Sequence, residues 1–296
     1  MPKDLDKHDL YEHCVQSPAQ LVPMLRAMHA PHPPPTVGPA SSRCLTLAED
    51  FAGTAALSYL WADASPDHHA VATDLDRAVL MRRPAHPRVT RVVADVRLAP
   101  PPAARPHPAI DILFVGNFSI GYLHTRAELV AYLRNARARL APGGLFLCDT
   151  YGGESAYILG EVHRDHPAPT PPGGRRIRYT WEQRAANPLT GMVTNALHFE
   201  IDRAGLIEAE FPDAFVYHWR LWSVPELLDA MHEAGFPPTG PTGPTGPTAP
   251  TGTTVYDKDP DATDDEGNAY MLPVTGDGDL GDDFIVYVTG RVSADA

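Results

Sequence analysis

Between residues 44 and 150, short apolar runs alternate with longer amphipathic ones. Residues 44–48 (CLTLA), 70–73 (AVAT), 90–94 (TRVVA), 110–115 (IDILFV) and 145–148 (LFLC) read as strands. Apolar strands separated by helices predict a parallel sheet covered on both faces. Residues 55–64 and 76–82 read as intervening helices, and 125–140 as the clearest helix of the chain. In that helix Thr125 and Glu128 form a capping box, while Leu129, Val130, Leu133, Ala136 and Leu140 make one apolar stripe. Pro142, Gly143 and Gly144 stop it. Right-handed crossovers place the strand ends on one rim.

The pattern differs on either side of this core. Residues 9–30 read as one or two amphipathic helices broken near Ser17 and Pro18, followed by a proline-rich connector to residue 39. Residues 176–184, 193–201 and 214–220 alternate polar and apolar positions, which predicts an antiparallel β insertion over about 152–222. Ser223 caps a further helix with Leu227, Leu228 and Met231 on its inner face. The repeat PPTGPTGPTGPTAPTG at 237–252 reads as a surface loop and 257–283 as an acidic, mobile stretch. Residues 283–292 are a strong last strand of the core sheet. The expected division is thus 1–40 (helical lid and linker), 41–151 (core), 152–222 (insertion) and 223–296 (helix, acidic loop and last strands).

Charge narrows the partners. The net charge is −13, and residues 257–283 alone hold ten acids and one lysine. With no basic stripe, neither a nucleic acid nor an anionic membrane surface is an expected partner. No apolar run approaches membrane-spanning length, and the polar N-terminus lacks a signal region. Cys14, Cys44 and Cys148 are far apart, which fits a reducing cytoplasm and neither a metal site nor a disulfide framework.

The candidate chemistry lies on the rim. The stretch LTLAEDFAGTAALSY, residues 45–59, reads as strand, glycine-bearing turn and helix. Gly53 permits a conformation or close approach that a Cβ would block, and Thr54 is a good helix N-cap. Four strand ends carry polar groups: Glu49 with Asp50, Asp74 with Asp76, Asp95, and Asn117. Asp74 lies 21 residues past Gly53, the spacing at which an acid meets ribose hydroxyls. Asp95 can accept from an adenine amino group while the Val96 backbone meets the ring edge, and Glu49 can reach an ammonium. Asp50 and Asp76 read as ordinary turn residues. A pyrophosphate needs G-x-G-x-x-G, which is absent here, so the pocket suits a phosphate-free, cationic nucleoside.

The order EDFAGTA, VATDLD, VVADV, IDILFVGNFS, LAPGGLFLCD resembles the class I S-adenosylmethionine-dependent methyltransferases, over roughly residues 44–150. EDF-x-GT is similar to a bacterial variant of the first motif, with Phe51, Gly53 and Ala55 at the three glycine positions. The resemblance implies a Rossmann-like, mostly parallel seven-stranded sheet with helices on both faces and an antiparallel last strand. It implies S-adenosylmethionine as cofactor, with Glu49 and Gly53 flanking the methionine portion, Asp74 the ribose, and Asp95 with Val96 the adenine. Phe51, Thr54 and Leu75 stand beside these contacts. Asn117 falls where the family's fourth motif faces the reacting methyl. Phe118 and Ser119 replace the prolines of N-P-P-Y, so amino-group chemistry on nucleic acid or glutamine gains no support. YEHCVQ is similar to a cofactor-covering segment, with Tyr11 and Gln16 as lid residues. The insertion and the helix after it resemble a wall around a small substrate, with Trp219 and Arg220 as candidate contacts.

The implied reaction is in-line methyl transfer to a small-molecule acceptor, dominated by alignment and desolvation. If a base is required, His124, Tyr151 or His218 could supply it. The rival readings are a non-catalytic cofactor-binding domain, kept open by Phe51 and Ala55, and a nucleotide-dependent oxidoreductase. The aromatics Tyr179, Trp181, Phe199, Phe215, Tyr217 and Trp222 read mainly as sheet packing. The His29/His32 and His163/His166 pairs lack a third ligand, and 257–266 lacks the glycine and glutamate of a calcium loop. No metal is expected.

Overall fold

The strands predicted from the apolar runs pair as the pattern requires in a computed structural model of the chain, which describes residues 5–29, 45–98, 109–169, 174–238, 252–263, 269–274, 276 and 278–293. The connector 30–39, the loop 100–108, Cys44, His32 and most of the repeat 237–252 lie outside the described residues. Two compact units form: Met1–Ser17 with Glu154–Leu221, and Pro18–Gly153 with Trp222–Ala296. The expected lid segment is divided between them, because α1 (Lys7–Cys14) belongs to the first unit and α2 (Pro18–His29) to the second.

The larger unit is a Rossmann-like α/β sheet. Strands β1 (Thr46–Asp50), β2 (His69–Asp74), β3 (Val89–Val93), β4 (Ile110–Val115) and β5 (Leu140–Gly153) run parallel in the order β5-β4-β1-β2-β3. The last strand, β12 (Asp283–Arg291), pairs antiparallel with β5 as expected. Beyond it lie β10 (Thr253–Thr263) and β11 (Ala269–Pro273), which extend the sheet to eight strands. The acidic stretch expected as a mobile surface loop therefore contributes a hairpin at the sheet edge. Residues 253–257 of β10 pair with β12 and the rest of the hairpin pairs β10 with β11, bonds of the backbone that side-chain polarity alone does not reveal.

Period-two alternation sorts the strand residues between two cores. Ala48, Leu113, Val115, Phe146 and Cys148 face α5 (Arg126–Arg139) and α6 (Val224–Glu233). Leu47, Ile112, Phe114, Leu145 and Leu147 face α2 and α3 (Ala56–Asp63) through Val22, Leu25, Leu57 and Trp61. All six β4 residues are buried, as a strand covered on both faces must be. The predicted capping box of Thr125 with Glu128 forms, and the predicted cap Ser223 also makes a box, with Glu226.

The smaller unit is a four-stranded antiparallel sheet, β6 (Gly160–Pro167), β7 (Arg175–Asn187), β8 (Met192–Arg203) and β9 (Leu206–Arg220), in sequential order. The sequence pattern showed the last three and missed β6, an exposed edge strand with little apolar alternation. Ile177, Tyr179, Leu197, Phe199 and Ile201 pack against Leu10 of α1. Most of the named aromatics are sheet packing: Tyr179 stacks on Phe199, and Tyr217 on Trp219. Among the described residues, no helix is long and apolar enough to cross a membrane.

Asp50 departs from its reading as a turn residue. Its carboxylate accepts from both Arg139 Nη atoms at 2.6 and 2.8 Å and from the Tyr132 hydroxyl at 2.7 Å. These side chains are buried, so β1 is tied to α5 by a desolvated ion pair. Breaking one side of such a pair leaves an uncompensated buried charge. Arg139→Met should therefore lower the unfolding free energy by about 3–5 kcal/mol in urea titration. The double change Asp50→Leu, Arg139→Met should cost clearly less than the single one. An equal or larger loss in the double variant would contradict this account.

Candidate active site

The parallel order β3-β2-β1-β4-β5 puts the carboxyl ends of these strands on one rim. The turn after β1 has a repeating backbone: Phe51, Gly53 and Ala55 adopt φ of +58°, +53° and +59°. These are the three positions that the resemblance aligns with glycines. Left-handed backbone costs a residue with a Cβ roughly 1–2 kcal/mol, so Phe51 and Ala55 are strained. Phe51 offsets the cost by packing its ring, which lies parallel to Tyr122 at 5.8 Å and tilted on Tyr132 at 6.4 Å. At Gly53 the space a Cβ would occupy is open, with no atom within 4 Å.

Asp74 holds this turn. One carboxylate oxygen accepts from the Gly53 N–H at 2.7 Å, and the other from the Asp76 N–H at 2.8 Å. The acid expected to meet a ribose thus first fixes the turn beside it, and each oxygen keeps a second lone pair for a hydroxyl. Leu75 is exposed just beyond. Asp76 is the N-cap of the short helix α4 (Arg77–Leu80). Thr54 is buried but is not the N-cap of α3. That position is Ala55, whose left-handed backbone makes no side-chain cap bond.

Glu49 and Asp50 are consecutive in β1, so their side chains leave opposite faces of the sheet. Asp50 meets α5. Glu49 meets α3, where its Oε2 accepts from the Ser58 hydroxyl at 2.6 Å and the Ser58 N–H at 3.0 Å. Burial pushes the Glu49 carboxyl up to about 7, against the pull of those bonds. The Asp74 charge adds to that rise, and the Arg83 charge opposes it more weakly than the bonds from Ser58. Ser58 carried no sequence signal, being one small residue in an apolar helix face.

Asp95 lies at the end of β3 with Val96 buried beside it. Arg97 closes on the Asp95 carboxylate with its Nε at 3.0 Å, its Nη2 at 2.7 Å and its own N–H at 3.0 Å. These bonds hold the Asp95 carboxyl below the ordinary range. An adenine amino group there would share the acid with Arg97.

After β4, Asn117 and Phe118 are both left-handed, with φ of +55° and +60°. Their N–H groups donate to the two oxygens of Asp149, at 2.9 and 2.7 Å. Asp149 is buried within β5, and burial pushes its carboxyl up to about 7. The sequence marked Asp149 only as a strand end. Tyr151, two residues on, sets its ring edge-on to Phe118 at 4.9 Å. His124 is exposed before α5.

The remaining candidates lie in the smaller unit. Tyr11 is on α1 with its ring 5.0 Å from Phe215, and the Gln16 N–H donates to the Tyr11 carbonyl at 3.2 Å. Trp219 and Arg220 end β9, with Trp219 buried and opposite Val193. His218 lies within 3.1 Å of the Thr194 hydroxyl. Glu182, His198 and Asp213 bring potential ligand atoms within 4.8 Å of one another. Arg184 already neutralises that cluster, donating to Glu182 at 2.6 Å and to Asp213 at 2.5 Å.

No family model matches the sequence. No curated protein matches it either. Solved structures do share its fold. An amino pentose methyltransferase from Micromonospora echinaspora, involved in calicheamicin biosynthesis and solved with SAM bound, aligns at a TM-score of 0.60 and 17% identity, over 96% of both chains. DesVI of Streptomyces venezuelae aligns at 0.60 and 15% identity, over 98% of this chain and 100% of its own. The sugar N-methyltransferase KedS8 from a Streptoalloteichus species aligns at 0.57 and 15% identity, over 97% and 92%. The likeness runs through both units, so this chain has the fold of those methyltransferases, β insertion included.

Proposed function

We propose that this chain is an S-adenosylmethionine-dependent methyltransferase acting on a small-molecule acceptor. The observation that carries the reading is the rim itself. A left-handed turn at Phe51, Gly53 and Ala55 is pinned by Asp74, beside a buried Glu49 hydrogen-bonded by Ser58. Burial outweighs the pull of the Arg83 charge on that carboxylate, which fits a ligand that brings its own ammonium. The open space over Gly53 fits close approach of a ligand to the backbone. The likeness to methyltransferases that act on sugars, at the level of fold, supports a small acceptor.

In this reading S-adenosylmethionine supplies a methyl group activated on a sulfonium. Glu49 takes the ammonium, oriented by Ser58. Asp74 binds the ribose hydroxyls through its remaining lone pairs, with Leu75 beside it. Asp95 and Val96 meet the adenine, Phe51 and Thr54 line the turn, and Asn117 faces the reacting end. The chain's work is binding, alignment and exclusion of water, and an acceptor that arrives neutral needs no base. Tyr151 is better placed to support Phe118 than to take a proton.

Calorimetry should detect binding of S-adenosylmethionine and S-adenosylhomocysteine to the purified protein, and Asp74→Asn should weaken it about tenfold, the loss of one charged hydrogen bond. No binding of either compound would end the proposal. An ammonium beside Glu49 lowers its proton affinity, so binding at pH 6.5 should release a fraction of a proton, read from heats in buffers of different ionisation enthalpy. That release should shrink at pH 8.5 and be lost from Glu49→Gln.

Stability without ligand should follow the opposite sign. The folded Glu49 value, about 7, lies above its ordinary value of 4.5. Its contribution is therefore fully present below about pH 4.5 and is lost as pH rises through 7. The melting temperature should fall between about pH 4.5 and 7 and level off above that, and Glu49→Gln should remove part of that fall while weakening cofactor binding.

A further inference from the structure

Phe118, like Phe51, is a bulky residue with left-handed backbone on the rim, at φ +60° directly after Asn117 at +55°. Asparagine tolerates this region; phenylalanine has no local hydrogen bond to offer in return. What holds both residues comes from the neighbouring strand. Asp149, buried in β5, gives one oxygen to each N–H, at 2.9 and 2.7 Å. Two residues along the same strand, Tyr151 holds the Phe118 ring.

We propose that Asp149 is the positioning residue of the methyl-transfer site: by clamping two successive N–H groups it sets the Asn117–Phe118 turn against the reacting end of the cofactor. The clamp itself rests on geometry alone, while its role in transfer rests on the methyltransferase reading. An ionised carboxylate can accept both N–H bonds, whereas a protonated one turns one oxygen into a donor. The clamp is therefore tight when Asp149 is charged and loosens on protonation. Burial opposes the charge while the two N–H bonds favour it, which puts the change near neutral pH. The other titratable groups that couple to Asp149 are Cys148 beside it and Tyr287 across from it on β12. Burial pushes both well above their ordinary values, so neither titrates in this range.

Nitrogen-resolved NMR tests the clamp. In the wild-type protein the amide protons of Asn117 and Phe118 should move upfield together as pH falls from 8.5 to 6, with one shared midpoint near 7. Glu49→Gln, which removes the other carboxyl titrating there, should leave that midpoint in place. Asp149→Asn should abolish it. Saturating S-adenosylmethionine at pH 8 should perturb the same two amides in the wild-type protein and much less in Asp149→Asn, whose affinity should stay within about fivefold. Amides that do not titrate, a midpoint lost in Glu49→Gln, or one retained in Asp149→Asn would each overturn the proposal. If Asp149→Asn fails to fold, the wild-type and Glu49→Gln titrations decide alone. Absence of any response to S-adenosylmethionine would sink the methyltransferase reading and the role in transfer, while the amide titration would still judge the clamp.

Discussion

The rim of this sheet depends on one constraint: backbone amides turned the wrong way must find an acceptor. A parallel strand that ends in a left-handed turn aims its next N–H groups away from the ladder. Buried donors left without partners cost more than most turns are worth. Here the acceptors are carboxylates from adjoining strands. Asp74 on β2 takes the Gly53 N–H beyond β1, and Asp149 on β5 takes two N–H groups beyond β4. Each turn is thus fastened by the strand next to it, and the rim is rigid only because the sheet is assembled. Four residues with side chains hold strained backbone there, Phe51, Ala55, Asn117 and Phe118. Such strain persists where the surrounding structure over-determines it, and it concentrates at functional sites.

The pair Glu49 and Asp50 shows how strand geometry separates two identical charges. Neighbours in a strand face opposite sides, so one residue of offset sends Asp50 into Arg139 and Tyr132 and Glu49 into Ser58. Asp50 is fully compensated and serves the fold. Glu49 is hydrogen-bonded by a serine and feels Arg83 only as a weaker charge, so burial raises its pKa and leaves it suited to a cation from outside. Chemically alike side chains take unlike roles because their partners differ, and those partners lie 9 and 89 residues away.

Phe51 illustrates a trade between backbone and side chain. Glycine would enter its conformation freely, whereas phenylalanine gains aromatic contact with Tyr122 and Tyr132. The turn therefore holds left-handed backbone at three alternate positions with glycine at only the middle one. Residue identity alone does not reveal that shape.

The periodic signals were legible in the sequence. The five parallel strands, the caps at Thr125 and Ser223 and the alternating strands after residue 152 follow from local spacing of apolar and capping residues, whereas the antiparallel direction of the last strand came from the resemblance. The positions of Asp74, Asp95 and Asn117 at strand ends were legible for the same reason. Tertiary structure alone decided which acid does what. Asp50 became a buried ion pair, Ala55 displaced Thr54 as the cap, Arg97 closed on Asp95, and Asp149 became the clamp of a neighbouring loop. Edge strands β6 and β11 were also decided there, since their pairing is set by backbone bonds to a partner rather than by side-chain pattern. The division has one cause: periodicity is encoded within a few residues, whereas a charge takes its role from groups that only folding brings within reach.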